Sequence, residues 1–218
     1  MNKKVFVVGL VLLLAVSGII ASNMGFKLNY RLESAAAAGS LSGTNTLGLP
    51  YNRQAGIATA NNLIGDIGLA NVANVQDFVE ATDSFNIYTG RKGSPSGDFP
   101  LEAGKSVFIK MNAGVDYIVV GSHDPSLSIS LDAAGAGSNS GTNFFSVPYH
   151  TTAATANDMI QDIGLANVAN MQDFVEATDS FNIYTGRKGS PSGDFPLVPG
   201  AGYFIKMNAT VNYVPAHY

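Results

Sequence analysis

Four acidic positions occur twice along the 218-residue chain: Asp77, Glu80, Asp83 and Asp98 return as Asp173, Glu176, Asp179 and Asp194. Paired carboxylates can hydrolyse a glycosidic bond or hold calcium. Their settings point elsewhere. Asp83 falls in the short turn Ala81-Thr82-Asp83-Ser84, Asp98 follows a glycine at a loop end, and Asp77 and Glu80 fall on a strand that reads as half-exposed. No stretch has the spaced oxygen ligands of a calcium loop. The eight acids therefore read as solvated or turn-forming groups. None of the three histidines recurs. His150 aligns with Asn52, His217 with Gly121, and His123 has no counterpart, so histidine acid–base or metal chemistry would belong to one copy or to the space between copies. A nucleophile, a base and an oxyanion donor never converge in the repeat, so no catalytic residue, metal ligand or cofactor is expected.

Cations supply a binding candidate. Arg91 and Lys92, repeated as Arg187 and Lys188, sit in the glycine-rich loop Gly90-Arg91-Lys92-Gly93-Ser94-Pro95-Ser96-Gly97-Asp98. A backbone nest beside two cations suits an anion such as a sulfated or acidic glycan. The loop lacks the Gly-Lys-Ser/Thr ending of a nucleotide loop and opens no helix, and its plainer reading is a connection between hairpins. Tyr51, Tyr88 and Phe99 recur as Tyr149, Tyr184 and Phe195; they fit a sugar-stacking platform or, more simply, core and cross-strand packing. Asn208-Ala209-Thr210 fits a glycosylation acceptor, but the first copy has Asn112-Ala113-Gly114.

The composition narrows the classes. Charged residues are only 13% of the chain and apolar ones 46%, which gives material for a core and argues against disorder. Zero cysteines exclude disulfides and thiolate chemistry. A net charge of −4 argues against nucleic acid as a partner. Nineteen asparagines, with many Ser, Thr, Gly and Ala, give a neutral-polar surface with little electrostatic resistance to self-association. At the start, Lys3 and Lys4 precede an uncharged apolar run from Val5 to Ala21 with small residues near its end. This reads as a signal peptide over residues 1–21, with a retained membrane anchor as the alternative, and an extracellular or cell-surface location follows.

The elements that must position these groups come from a duplication. Asp66 to Leu101 and Asp162 to Leu197 match at 35 of 36 positions, the exception being Val75 against Met171. The match continues outward at an offset of 96 through Phe108 to Ala113, and upstream Gly43-Thr44-Asn45 matches Gly141-Thr142-Asn143 at an offset of 98. Two modules follow, at 24–122 and 123–218. In each, a short strand runs into a Pro-Tyr loop, here Thr46 to Tyr51. Thr59 then caps a helix through about Ile67, with Gly68 at its C-terminal end. Val75 to Glu80 and Phe85 to Thr89 read as one hairpin, Ser106 to Met111 and Val115 to Val120 as a second, with Lys110 on the wet face. The expected fold is β-rich α+β: two tandem sandwich- or barrel-like modules, each with one short helix.

The segment Ser22-Asn23-Met24-Gly25-Phe26-Lys27, with the Pro-Tyr strand, the short helix, Phe-Pro-Leu and Phe-Ile-Lys, resembles a group of uncharacterised bacterial secreted or cell-surface tandem-repeat proteins. The resemblance implies an exported, modular surface protein and carries over no catalytic residue. The chain departs from the group at Thr46-Leu47-Gly48, where such modules often carry Trp. The expected function is thus noncatalytic, structural or adhesive, with self or surface glycans as partners. A candidate inter-subunit strand is Gly25, Phe26, Lys27, Leu28, Asn29, Tyr30, Arg31 and Leu32, tethered by the small-residue linker 33–42. It can fold back on its own domain or pair with an edge on a neighbour, and the second arrangement would build a filament.

Overall fold

The computed structural model describes residues 25–35, 37, 39–49, 56–122, 126–149 and 151–215. The expected signal segment, Tyr51 and all three histidines lie outside the described residues. Among those described, no helix is long and apolar enough to cross a membrane.

The chain is β-rich, as expected, and consists of two modules of one design. Module 1 contains β1 (Gly25–Leu32), β2 (Thr44–Gly48), α1 (Ala60–Ile67), β3 (Val72–Val79), β4 (Ser84–Tyr88), β5 (Ser106–Met111) and β6 (Val115–Ser122). Module 2 repeats the order with β7 (Ile129–Leu131), β8 (Thr142–Ser146), α2 (Ala156–Ile163), β9 (Val168–Val175), β10 (Ser180–Tyr184), β11 (Gly202–Met207) and β12 (Val211–Tyr213). Each has an antiparallel four-stranded sheet, ordered β2-β5-β3-β4 and β8-β11-β9-β10, and a two-stranded ribbon, β1-β6 and β7-β12.

The helices begin and end where their residues dictate. The Thr59 side chain accepts from the Asn62 backbone N–H, and Gly68 closes the helix with its N–H on the Ile64 carbonyl at φ 104°. Thr155 repeats the cap, and Asp158 completes a capping box by accepting the Thr155 N–H. Ala60, Leu63, Ile64 and Ile67 face inward and join Leu47, Val75, Val107 and Ile109 of the sheet and Leu32 and Val119 of the ribbon in one core. Module 2 builds the corresponding core, with Phe145 for Leu47, Tyr203 for Val107, Ala153 for Ile57, and the methionines Met159 for Leu63 and Met171 for Val75. Both methionines are fully buried, and methionine's flexible thioether adapts to the space.

One expectation changes, and one open alternative takes its fold-back form. Strands β5 and β6 are not a paired hairpin: β5 joins the four-stranded sheet, while β6 pairs with β1. The turn between them is pinned instead, with the Asn112 N–H donating to the Asn71 carbonyl at 2.7 Å, and the chain turns a corner from one layer to the other. The candidate inter-subunit strand is seated at home. Gly25 to Leu32 pairs with Ser122 to Val115 over its whole length, Leu28, Tyr30 and Leu32 pointing in and Lys27, Asn29 and Arg31 out. Arg31 bridges Asp116 at 2.8 Å and Glu33 at 2.9 Å across the exposed face of the ribbon.

Both ends of the linker after β1 are fastened to the sheet. Asn45, 1% exposed, accepts the Glu33 N–H and donates to the Glu33 and Gly43 carbonyls, and Asn143 does the same with Asp132 and Gly141. Gly43 must be glycine there, since its φ is 81° and a Cβ would lie 2.7 Å from the Ala35 nitrogen. The repeated Gly-Thr-Asn string is thus a staple between the linker and the sheet.

Candidate functional site: the seam between the modules

Strands β5 and β8 are buried on both faces, because each four-stranded sheet has a second layer against it. One face of each sheet carries its own helix and ribbon, and the other faces the partner module. Phe78, Phe85 and Phe108 of module 1 meet Phe144, Phe174, Phe181 and Phe204 of module 2 in one layer. Phe144 and Phe204 stack at 4.2 Å and 10°. Phe78 meets Phe204 edge-on at 5.3 Å, and its twin pair, Phe174 and Phe108, lies at 5.1 Å.

Matched hydrogen bonds flank this layer. The Leu41 N–H donates to the Glu176 carbonyl and the Asn139 N–H to the Glu80 carbonyl. The Gly48 N–H reaches the Gly200 carbonyl at 2.7 Å, and the Ser146 N–H reaches that of Gly104 at 2.9 Å. The Ser42 hydroxyl donates to Asp179 and the Ser140 hydroxyl to Asp83. Each bond in a pair becomes the other when the modules are exchanged, so the seam has a pseudo-two-fold axis. Asp83 and Asp179 are turn residues as expected, at φ 50° and 49°, and in addition receive the other module's serine.

The remaining repeated acids are also engaged. Asp98 and Asp194 accept the first-turn N–H of Asn61 and Asn157 at 2.9 Å, where a negative charge complements a helix start. Asp66 and Asp162 accept from Tyr117 and Tyr213 at 2.8 and 2.7 Å; burial first, then the neighbouring carboxylate, raises both phenols above their ordinary value. Glu176 accepts the Thr46 N–H at 3.0 Å, and burial pushes its carboxyl up to about 7. Glu80 is raised by burial too, with Lys105 at 3.7 Å opposing the shift. Burial lifts Asp77 to about 6 and raises Asp173. Asp77, Glu80, Asp173 and Glu176 are half-buried, more enclosed than solvated groups, whereas Asp98 and Asp194 are exposed.

The cationic loops are sheet-edge covers. The Ser96 hydroxyl accepts the Ile87 N–H at 3.0 Å while the Ser96 N–H donates to the Ile87 carbonyl, and the Ser94 hydroxyl accepts the Thr89 N–H at 2.8 Å. Ser190 and Ser192 do the same beside β10. The loop thereby satisfies groups on the outer edge of β4 that would otherwise template another strand. Arg91 donates to the Leu69 carbonyl at 3.4 Å; Arg91, Lys92, Arg187 and Lys188 are all exposed. The four cations are divided between two loops, one in each module. The aromatic candidates disperse: Phe99 and Phe195 are core residues, Tyr88 and Tyr184 donate to Asn61 and Asn157, and Tyr149 packs against the core of module 1. The side chain of Asn208 donates to the Ala166 carbonyl, and Thr210 accepts the Ala133 N–H.

A cleft of about 320 Å³ opens beside the seam, lined by Glu80, Glu102, Lys105, Ile129, Asp132 and Phe144 among others. It has no twin. On the opposite side Tyr30 stands where Ile129 stands here, packs over the Gly200 turn and donates to the Gly48 carbonyl at 3.0 Å. Among the described residues, no group of three or more His, Asp or Glu side chains is arranged to hold a metal ion. Sequence reasoning missed the seam. Its signal was present in the unbroken apolar run Val107-Phe108-Ile109 and in Phe144-Phe145, which leave no solvent face on their strands. Comparison with known proteins finds no matching family model, curated protein or solved structure.

Proposed function

We propose that the chain is a noncatalytic, exported structural or adhesive protein of the cell surface, whose working part is the two-module body. The observation that carries this reading is the commitment of the repeated polar side chains: the acids at 66, 83 and 98 and their twins, with Glu176, anchor tyrosines, helix starts or the neighbouring module. Side chains committed in this way serve shape and stability. Strand exchange through Gly25 to Leu32 forms no part of the reading, because that strand is paired along its length within its own module. Electron microscopy of native surface material tests the proposal, with ordered multimers or a layer as the expected result. A dispersed monomer with hydrolytic activity that disappears in Asp77→Asn or Glu176→Gln would overturn it.

The glycan-binding alternative retains one supporting observation, the outward display of Arg91, Lys92, Arg187 and Lys188 on two loops tied down at both serines. Two equivalent sites would act by avidity. A glycan array with wild type and a variant neutralised at all four positions decides it: retention of acidic glycans that is lost in the variant supports the alternative, and no difference removes it.

A further inference from the structure

The residues at the pseudo-two-fold axis differ between the modules in a complementary way. Gly48 and Ser146 are equivalent positions, and they face each other across the seam; a Cβ on Gly48 would lie 2.6 Å from the Ser146 Cβ. Ser106 and Gly202 are the second equivalent pair, with the identities reversed, and a Cβ on Gly202 would lie 2.7 Å from the Ser106 Cβ. Neither glycine has positive φ, so each is required by space and not by backbone conformation. The serines are buried, at 2% and 0% exposure, and their hydroxyls have no partner. Hydrogen bonding therefore does not explain them, and fit against the opposing glycine does. Thr46 against Phe144 is a third unequal pair, with the single Phe144 ring stacked on Phe204 and 5.0 Å from Phe108.

Exchanging partners exposes the consequence. Two copies of module 1 on this axis would set Ser106 against Ser106 and Gly48 against Gly48, a collision and a void. Two copies of module 2 would set Ser146 against Ser146 and Gly202 against Gly202, and would need a second Phe144 ring where Thr46 now stands. Cβ atoms do not approach within 3.0 Å without backbone movement in a packed interior, and a void forfeits contacts. Only the mixed pair places each serine in a glycine gap.

We propose that this arrangement is a pairing code: module 1 accepts module 2 and rejects its own kind, and the partner available to an opened chain is the complementary module of a second copy of this chain. The second half rests on the reading of the chain as a self-associating surface protein; the first does not. The modules are joined covalently only through residues 123–128, so exchange about that connection reproduces every seam contact between two chains. Because the contact joins unlike faces, it closes a pair by reciprocal exchange or extends head to tail.

Two experiments on the intact chain test this. Gly48→Ser is expected to lower Tm by about 5 °C or more, from the cost of overpacking a buried contact. Adding Ser146→Gly should restore Tm to within about 2 °C of wild type, whereas adding Ser106→Gly, which touches the other pair, should not. Should Gly48→Ser fail to fold, recovery of soluble protein on adding Ser146→Gly gives the same reading. An unaffected Gly48→Ser, or equal rescue by Ser106→Gly, overturns the code.

For the partner, one chain carries Gly48→Ser with Ser106→Gly and a second carries Ser146→Gly with Gly202→Ser. Each has a collision and a void when closed on itself, and reciprocal exchange between the two relieves all of them. Refolded together with different tags, they should be captured one to one at twice the chain mass. Co-capture no greater than for two wild-type chains overturns the exchange while leaving the code and the surface-protein reading to their own tests.

Discussion

The inner core of each module and the seam between modules began as duplicates and have diverged differently. In the cores, differences change volume but stay within one module's own packing: Leu47 and Val107, paired across β2 and β5, are Phe145 and Tyr203 in module 2, where Ile57 is Ala153, Leu63 is Met159 and Val75 is Met171. At the seam, differences come in facing pairs of opposite sense, glycine against serine at 48 and 146 and serine against glycine at 106 and 202. A core residue packs within its own module, so a change there can be met by neighbours in the same copy. A residue on a two-fold axis contacts its own twin, and a side chain too large to meet itself must be matched by a small one. The seam is thus a surface that distinguishes its two sides, and no longer one that could meet an identical copy of either module.

The largest expected effect comes from emptying the seam's aromatic layer. Phe144→Ala removes a ring 2% exposed that stacks on Phe204, and should cost about 3–5 kcal/mol in urea unfolding. Thr46→Ala, at the twin position, should cost less than about 1 kcal/mol, because a half-buried hydroxyl and methyl leave no comparable cavity. Ile109→Ala and Ile205→Ala, both fully buried within the module cores, should instead both be costly, each at about 2–5 kcal/mol. Equal losses for Thr46→Ala and Phe144→Ala would break the contrast between core and seam.

Tyrosine anchors within the modules should behave as duplicates. Tyr117→Phe and Tyr213→Phe each remove a hydrogen bond to a carboxylate, at 2.8 and 2.7 Å. Each should cost about 1.5–3 kcal/mol and the two should agree within error, measured by denaturant midpoint. A difference larger than about 1 kcal/mol would show that equivalent groups outside the seam had also separated in role.

What was legible in the sequence follows this division. The helix from Thr59 to about Ile67 and its Gly68 end were readable because capping and terminal carbonyls are satisfied within a few residues. The hairpin of β3 and β4 was readable for the same reason, its turn lying at Asp83. The corner between β5 and β6 looks identical to a hairpin locally; what separates the strands is the Asn71 carbonyl, 41 positions before Asn112 in the chain. The loop of Arg91 and Lys92 drew attention to its charges, while the residues that give it a role are Ser94 and Ser96, whose hydroxyls matter only once the edge of β4 is known. Facing pairs such as Gly48 and Ser146 are invisible until the axis is known, since neither residue type is unusual alone.

Acid–base behaviour separates the two sides of the seam as well. Glu176 is held up to about 7 by burial, above the ordinary glutamate value of 4.5. The folded protein therefore keeps the proton in a range where the unfolded chain has released it, so stability is full below about pH 4.5 and falls as pH rises toward 7. The drop attributable to this group should be on the order of 1–2 kcal/mol after allowing for its partial exposure. Asp77, raised to about 6, adds to the same slope at the lower end. The twin of Glu176 across the seam, Glu80, has Lys105 beside it where module 2 has Ala201, so Glu80→Gln should change the slope less than Glu176→Gln. A denaturation midpoint that rises between pH 5 and 7.5, or that keeps its full slope in Glu176→Gln, would contradict this assignment.

The smallest effect is also the most specific. Ser146→Ala keeps the Cβ that occupies the space over Gly48 and removes a hydroxyl that is buried without a hydrogen-bond partner. The fit is retained and an uncompensated polar group disappears, so the variant should be more stable than wild type by up to about 1 kcal/mol, and Ser106→Ala likewise. Ser146→Gly removes hydroxyl and Cβ together, leaving a gap beside Gly48 that offsets the gain, and should fall below Ser146→Ala. That ordering, alanine above serine and glycine below alanine, separates a residue kept for its volume from one kept for its hydroxyl. If Ser146→Ala were the least stable of the three, the hydroxyl would be the essential part, and complementary size could not explain why the two modules differ at their axis.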